Sequence, residues 1–233
     1  MIKNGLLLSI AGAALLLAGP LGTRAGIWSF IIGFLMLGLS VLVGLVGASL
    51  ALVSGIRSGQ WKLAAAGIVI GLAVASVPSA AILAARDTPA IHDITTDPDN
   101  PPLFVAILPL RTGAANPPEY LGGEVTAQQR SAYPDIQPLV LQVNAGQAFD
   151  RALTAVRDLG WNVVSNDREA GRIEAVDTTF WFGFKDDVVI RVREINPGSA
   201  RIDVRSKSRV GVGDRGTNAR RVRTLLDRLQ ATP

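Results

Sequence analysis

GRIEAVDTTFWFGFKDDVVIRVREINPGSARIDVRSKSRV, residues 171–210, decides the fold. It reads as three β-rich runs, at 172–183, 187–195 and 199–210. Gly183–Asp186 and Asn196–Gly198 supply the turns between them. A further run at 161–166 precedes them across the turn Asp167–Gly171. Consecutive strands on short loops pair antiparallel, because a parallel pair needs a long crossover. Upstream, Asn144 with Gln147 three residues later forms a capping-box pattern. The helix it opens runs to about Leu159, with Phe149, Leu153, Val156 and Leu159 on one stripe and Gly160 as its stop. Leu139–Val143 is a short strand candidate ahead of it. Downstream, Val222, Leu225, Leu226 and Leu229 mark a last helix over about 218–230. Each helix has one apolar stripe to bury on the sheet. Residues 139–233 are therefore expected to form an α+β domain, an antiparallel sheet with two helices on one face in a helix-grip-like arrangement.

Between 87 and 138 lie nine of the 13 prolines. Proline fixes φ and lacks a donor, so this stretch predicts an extended arm without long helices or central strands. Leu103-Phe104-Val105 and Ile107-Leu108 are apolar enough to pin the arm to the domain.

The first third is of another kind. Residues 1–86 contain no Asp or Glu and five basic residues: Lys3, Arg24, Arg57, Lys62 and Arg86. Three apolar segments, at about 5–22, 27–56 and 62–85, read as transmembrane helices. Trp28 and Trp61 stand near segment ends, where amphipathic rings favour the interface. Gly67-x-x-x-Gly71 allows close helix approach, read here as packing within the bundle rather than a dimer seam. The first segment also has the length of a signal peptide, with Thr23-Arg24-Ala25 as a poor cleavage site, and either reading leaves the C-terminal domain on the same side. Lys3, Arg57 and Lys62 fall on one side and Arg24 and Arg86 on the other. The positive-inside rule then predicts a multi-pass inner-membrane protein with its C-terminal domain in the periplasm. Its expected partners are the lipid bilayer and an anionic envelope ligand or a membrane protein. The pI near 10 reflects the first third, so nucleic acid is not an expected partner. The chain has no cysteine, which excludes disulfides, cysteine nucleophiles and thiolate metal sites.

Candidate chemistry concentrates in RSKSRVGVGDRGTNARR, residues 205–221. Gly211-x-Gly213-x-x-Gly216 has dinucleotide-loop spacing. A dinucleotide loop also needs a βαβ unit and a later acidic residue for the ribose. Neither fits here, because the last helix precedes no further strand pattern. The loop reads instead as a strand-to-helix turn capped by Thr217 or Asn218. Strand alternation puts Ser206 and Ser208 on one face and Arg205, Lys207 and Arg209 on the other. Two readings remain for Arg205, Ser206, Ser208, Arg209, Asp214, Asn218 and Arg221. One is a structural lock of intramolecular ion pairs. The other is an anion site at the helix N-terminus, served by Arg205, Arg209 and Arg221. His92, Asp93, Asp97 and Asp99 match no metal-binding spacing, and local turns account for them better. No cofactor or metal is expected. An envelope hydrolase using the 205–221 cluster with Asp187 or His92 is the alternative. Asp186 and Asp187 point to opposite faces of a strand, which opposes a paired-carboxylate mechanism.

IHDITTDPDNPP (91–102), GRIEAVDTTFWFGFKDDVVIRV (171–192) and RSKSRVGVGDRGTNARRVR (205–223) resemble the bacterial and plastid domain-of-unknown-function family 1499. The resemblance extends over 87–233 and keeps Arg205, Ser206, Ser208, Arg209, Gly211, Asp214, Gly216, Asn218 and Arg221 of its signature. It implies a membrane-anchored envelope protein and no activity. The expected function is thus a non-catalytic binding or scaffold module on a membrane anchor.

Overall fold

A computed structural model describes residues 2–231. These divide into two compact units, one of residues up to Asp87 with Phe180–Gly183, the other of Thr88–Thr179 with Phe184 onward.

The first unit holds helices α1 (Ile2–Arg24), α2 (Phe30–Ser58) and α3 (Trp61–Ala84). All three are long and apolar enough to cross a membrane. The second begins three residues later than the hydropathy suggests. Residues 25–29 are used in a tight turn in which Gly26 takes φ 72° and Ile27 N–H donates to the Gly22 carbonyl. Neighbouring helices run antiparallel along small residues. Gly5, Gly12 and Gly19, seven apart on α1, face Ala51, Gly44 and Gly33 of α2. A Cβ added at Gly12 would stand 3.1 Å from the Gly44 nitrogen, so glycine is what lets these backbones meet. Gly67 and Gly71 of α3 are used inside this bundle: Ser9 Oγ donates to the Gly67 carbonyl at 2.7 Å, and Gly71 faces the Gly44 carbonyl.

The second unit is an α+β domain. Its strands are β1 (Asp93–Thr95), β2 (Leu139–Leu141), β3 (Asn162–Asp167), β4 (Arg172–Thr178), β5 (Lys185–Asn196) and β6 (Ser199–Ser208). All pairs are antiparallel, in the order β1-β6-β5-β4-β3, with β2 also on β6. β1 and β2 share one edge of β6, Asp93 opposite Lys207 and Leu139 opposite Ile202. Helices α5 (Ala145–Asp158) and α6 (Thr217–Ala231) cover one face. Phe149, Ala152, Val156, Val222, Leu225 and Leu229 pack there on Ile173, Val188, Ile190, Ile202 and Val204. The Asn144 box opens α5 as its sequence predicts, Gln147 N–H donating to Asn144 Oδ1 at 2.9 Å.

Two features depart from the sequence reading. β4 ends at Thr178, five residues before the predicted limit, and the aromatic stretch that follows is a turn. The arm is not simply extended. Helix α4 (Gly123–Ala132) forms in its proline-free interval between Pro118 and Pro134, and β1 joins the sheet beside β6. The apolar clusters pin the arm to the domain as expected, Phe104 and Ile107 burying against Val176 and Val189 on the second face of the sheet.

Candidate functional site

β6 has neighbours on both edges and is covered on both faces, so its alternation sorts the candidate residues. On the arm-covered face, Asp203, Arg205, Lys207 and Arg209 project in turn. Three buried carboxylates hold these cations and their neighbours. Asp203 accepts from Arg191, Arg193 and Arg201, and Asp97 of the arm accepts from Arg191 and Arg201. Asp93 of β1 accepts from Arg205 Nε at 2.9 Å, Arg205 Nη2 at 2.8 Å and Lys207 Nζ at 2.9 Å. Asp187 of β5 accepts from Arg209 and Arg111. The remaining donors find arm carbonyls. Arg205 reaches those of Pro102 and Pro118, Lys207 that of Glu119, and Arg209 that of Leu110. The Arg205 guanidinium also lies 4.8 Å over the Phe104 ring and 5.4 Å over Tyr120. The side chain of Arg205 is 1% exposed and that of Lys207 is fully enclosed. Burial pushes the Lys207 ammonium below its ordinary range, and Asp93 opposes that shift.

The helix-covered face holds the other half of the signature. Asn218 Oδ1 accepts from Ser206 Oγ at 2.6 Å and from Arg221 Nη1 at 2.7 Å, while its Nδ2 donates to Ser208 Oγ at 2.9 Å. Arg221 donates onward to Asp186 at 2.6 Å and Asp177 at 2.8 Å. Asp186 and Asp187 thus serve opposite faces, each committed to arginine. Asp214 fills the N-terminus of α6. Its carboxylate accepts from Gly216 N–H at 2.8 Å and Asn218 N–H at 2.7 Å. This corrects the cap expected from Thr217 or Asn218. Gly211, Arg215 and Gly216 take positive φ and turn the loop back so that Asp214 reaches the helix. Burial raises the Asp214 carboxyl above the usual range, against the pull of those two N–H groups.

The seven candidate residues therefore split. Ser206, Ser208, Asn218 and Arg221 share one network, Asp214 caps the helix beside it, and Arg205 and Arg209 lie across the sheet. The three guanidiniums of the anticipated anion site do not converge. The helix N-terminus that would attract an anion already holds a carboxylate of its own chain. His92 Nδ1 lies 2.9 Å from the Val212 carbonyl and donates to it. The neighbouring aspartates turn elsewhere: Asp93 to Arg205 and Lys207, Asp97 to Arg191 and Arg201, Asp99 to Arg130. Among the described residues, no group of three or more His, Asp or Glu side chains is placed to hold a metal ion.

One residue that ties the arm to the sheet escapes the sequence reading altogether. Glu174 of β4 is fully buried, and its carboxylate accepts from the N–H groups of Val105, Ala106 and Ile107 at 2.9–3.1 Å. It holds the arm turn as an N-cap residue holds a helix. Its signal was an acid on a strand face that also carries the apolar Val176 and Val189, a face that had to be covered.

A cleft of about 400 Å³ opens beside the arm, lined by residues including Asp97, Asp99, Gln129, Arg130, Gln137 and Arg201. Its two carboxylates and two guanidiniums cancel in charge. Asp214, the one carboxylate within 205–221, is taken up by the N–H groups of Gly216 and Asn218, and Asp93, Asp186 and Asp187 around the segment are each paired with arginine or lysine.

Among curated proteins none matches the chain. A family model described as a protein of unknown function matches residues 93–229, from β1 through most of α6, which includes all three charge clusters, Glu174 and the Asp214 cap. Residues that build the fold thus fill the matched region, and the chain belongs to the family of proteins of unknown function DUF1499.

Proposed function

We propose that this chain is a multi-pass protein of the inner membrane whose periplasmic domain is a non-catalytic binding or scaffold module. The observation that carries this reading is the neutralisation of Arg205, Arg209 and Arg221 by carboxylates of the same chain. A residue that serves an external anion keeps its fork open for it, and these forks are closed. The 205–221 cluster then acts as a lock between arm, sheet and α6. The ligand of the module is a protein partner rather than a free anion, since the one cleft described above has no net charge to attract an anion. The envelope hydrolase reading finds no favouring contact.

Site-specific photo-crosslinking tests the proposal. A photoreactive side chain at Gln137, in the cleft wall, should give a discrete protein adduct in intact membranes, and one at the exposed Glu124 of α4 should not. Inorganic phosphate should leave the thermal midpoint of the purified protein unchanged. Equal labelling at both positions together with a phosphate-dependent rise in the midpoint would replace the protein partner by an anion.

A further inference from the structure

The turn between β4 and β5 carries Phe180, Trp181 and Phe182. Phe180 is 70% exposed and Trp181 52% exposed, although buried strands flank them on both sides. Two neighbouring large rings in water are costly for a turn that small polar residues serve better. The tip belongs to the helical unit. The ring of Phe182 lies 4.8 Å from that of Phe34 in α2. Arg24, at the end of α1, donates to the Phe180 carbonyl at 2.6 Å and places its guanidinium 5.7 Å from the Phe180 ring. Trp28 stands between α1 and α2, its indole N–H on the Gly19 carbonyl. The antiparallel bundle brings the start of α2 and the ends of α1 and α3 to one side. Three phenylalanines, two tryptophans and an arginine therefore gather at one end of three candidate spans.

That composition is the chemistry of a membrane interface, where rings sit at headgroup depth and arginine meets phosphate. We propose that the β4–β5 tip is a lipid-interface anchor, with the open faces of Phe180 and Trp181 in the headgroup layer around Arg24. The occupant is a lipid surface because the three helices fix the depth of the bilayer at their own ends. Insertion removes both rings from water, which explains why they remain open within the protein.

Tryptophan emission reads this directly. The full chain with Trp28→Phe, Trp61→Phe and Trp161→Phe keeps Trp181 alone and is reconstituted in phosphatidylcholine vesicles. Lipids brominated near the headgroup should quench Trp181 at least about twofold more than lipids brominated near the chain ends. Iodide in the aqueous phase should have little effect. If the triple variant does not fold, the difference in quenching between the unaltered chain and Trp181→Phe gives the same reading. Quenching by iodide and not by bromolipid places the tip in water and overturns the proposal. Quenching by neither places it under protein, such as a second copy, and overturns it equally.

Discussion

Asp93 stands between two buried cations, and its removal tests what a residue contributes when it is the only neutraliser of its neighbours. Arg205 and Lys207 both direct their charge at this carboxylate. In Asp93→Ala they face each other in the interior with only carbonyl oxygens left. Breaking a buried charge cluster in this way costs about 3–5 kcal/mol, much of it the penalty for the charges left behind. Lys207→Met is the instructive contrast. Asp93 keeps two bonds from Arg205, and a cation already disfavoured by burial is gone. Its cost should stay near about 1 kcal/mol, the net worth of an ordinary hydrogen bond. Urea unfolding followed by near-ultraviolet circular dichroism checks both. Equal losses for the two variants would mean that Asp93 is not the centre of the cluster.

At the scale of elements, the arm is held to the sheet by one strand, by carbonyls that receive arginine and lysine, and by Glu174. Glu174→Gln leaves a single acceptor oxygen and turns an amide donor toward three N–H donors. The turn at 105–107 should lose about 1–3 kcal/mol of local stability, the cost of leaving buried donors unmatched. Hydrogen exchange is the measurement: amides 105–107 should exchange faster while those of β5 change far less. Uniform acceleration across the sheet would show that Glu174 supports the whole fold and not the arm in particular. This element also shows how far the sequence could be read. β5, β6, α5 and α6 announce themselves because their periodicity and caps are local. β1 has three residues and owes its strand geometry to β6, so nothing in its own pattern marks it. The cluster at 205–221 was visible as a set of side chains. Its division between two faces was only half visible: alternation separates Arg205 from Ser206, but the partners lie up to 126 positions away and follow from topology alone. The cap by Asp214 is local, two and four residues from the N–H groups it accepts, but Thr217 and Asn218 stand nearer the helix start and are equally good capping types, so the pattern alone did not choose between them.

For the molecule as a whole, the two units differ in the solvent their surfaces suit. The helical unit exposes Leu35, Ile31, Leu42 and Val69 along its helices, and the domain unit gathers its core side chains under α5, α6 and the arm. Orientation then rests on few charges. Lys3, Arg57 and Lys62 lie at one end of the bundle, with Arg24 at the other end and Arg86 just beyond α3 at that same end. Long domains translocate largely regardless of their own charge, so these short flanks decide. Alkaline phosphatase fused after Pro233 should be active and a fluorescent protein fused there dark, whereas a fluorescent protein inserted at Gly59 should fluoresce. Replacing Lys3, Arg57 and Lys62 with Gln leaves positive charge only at the far end, and the bias reverses. Phosphatase activity of the Pro233 fusion should then fall by more than about half as a fraction of chains inserts inverted. Unchanged activity in that triple variant would show that the apolar lengths of the segments, and not their flanking charges, set the orientation.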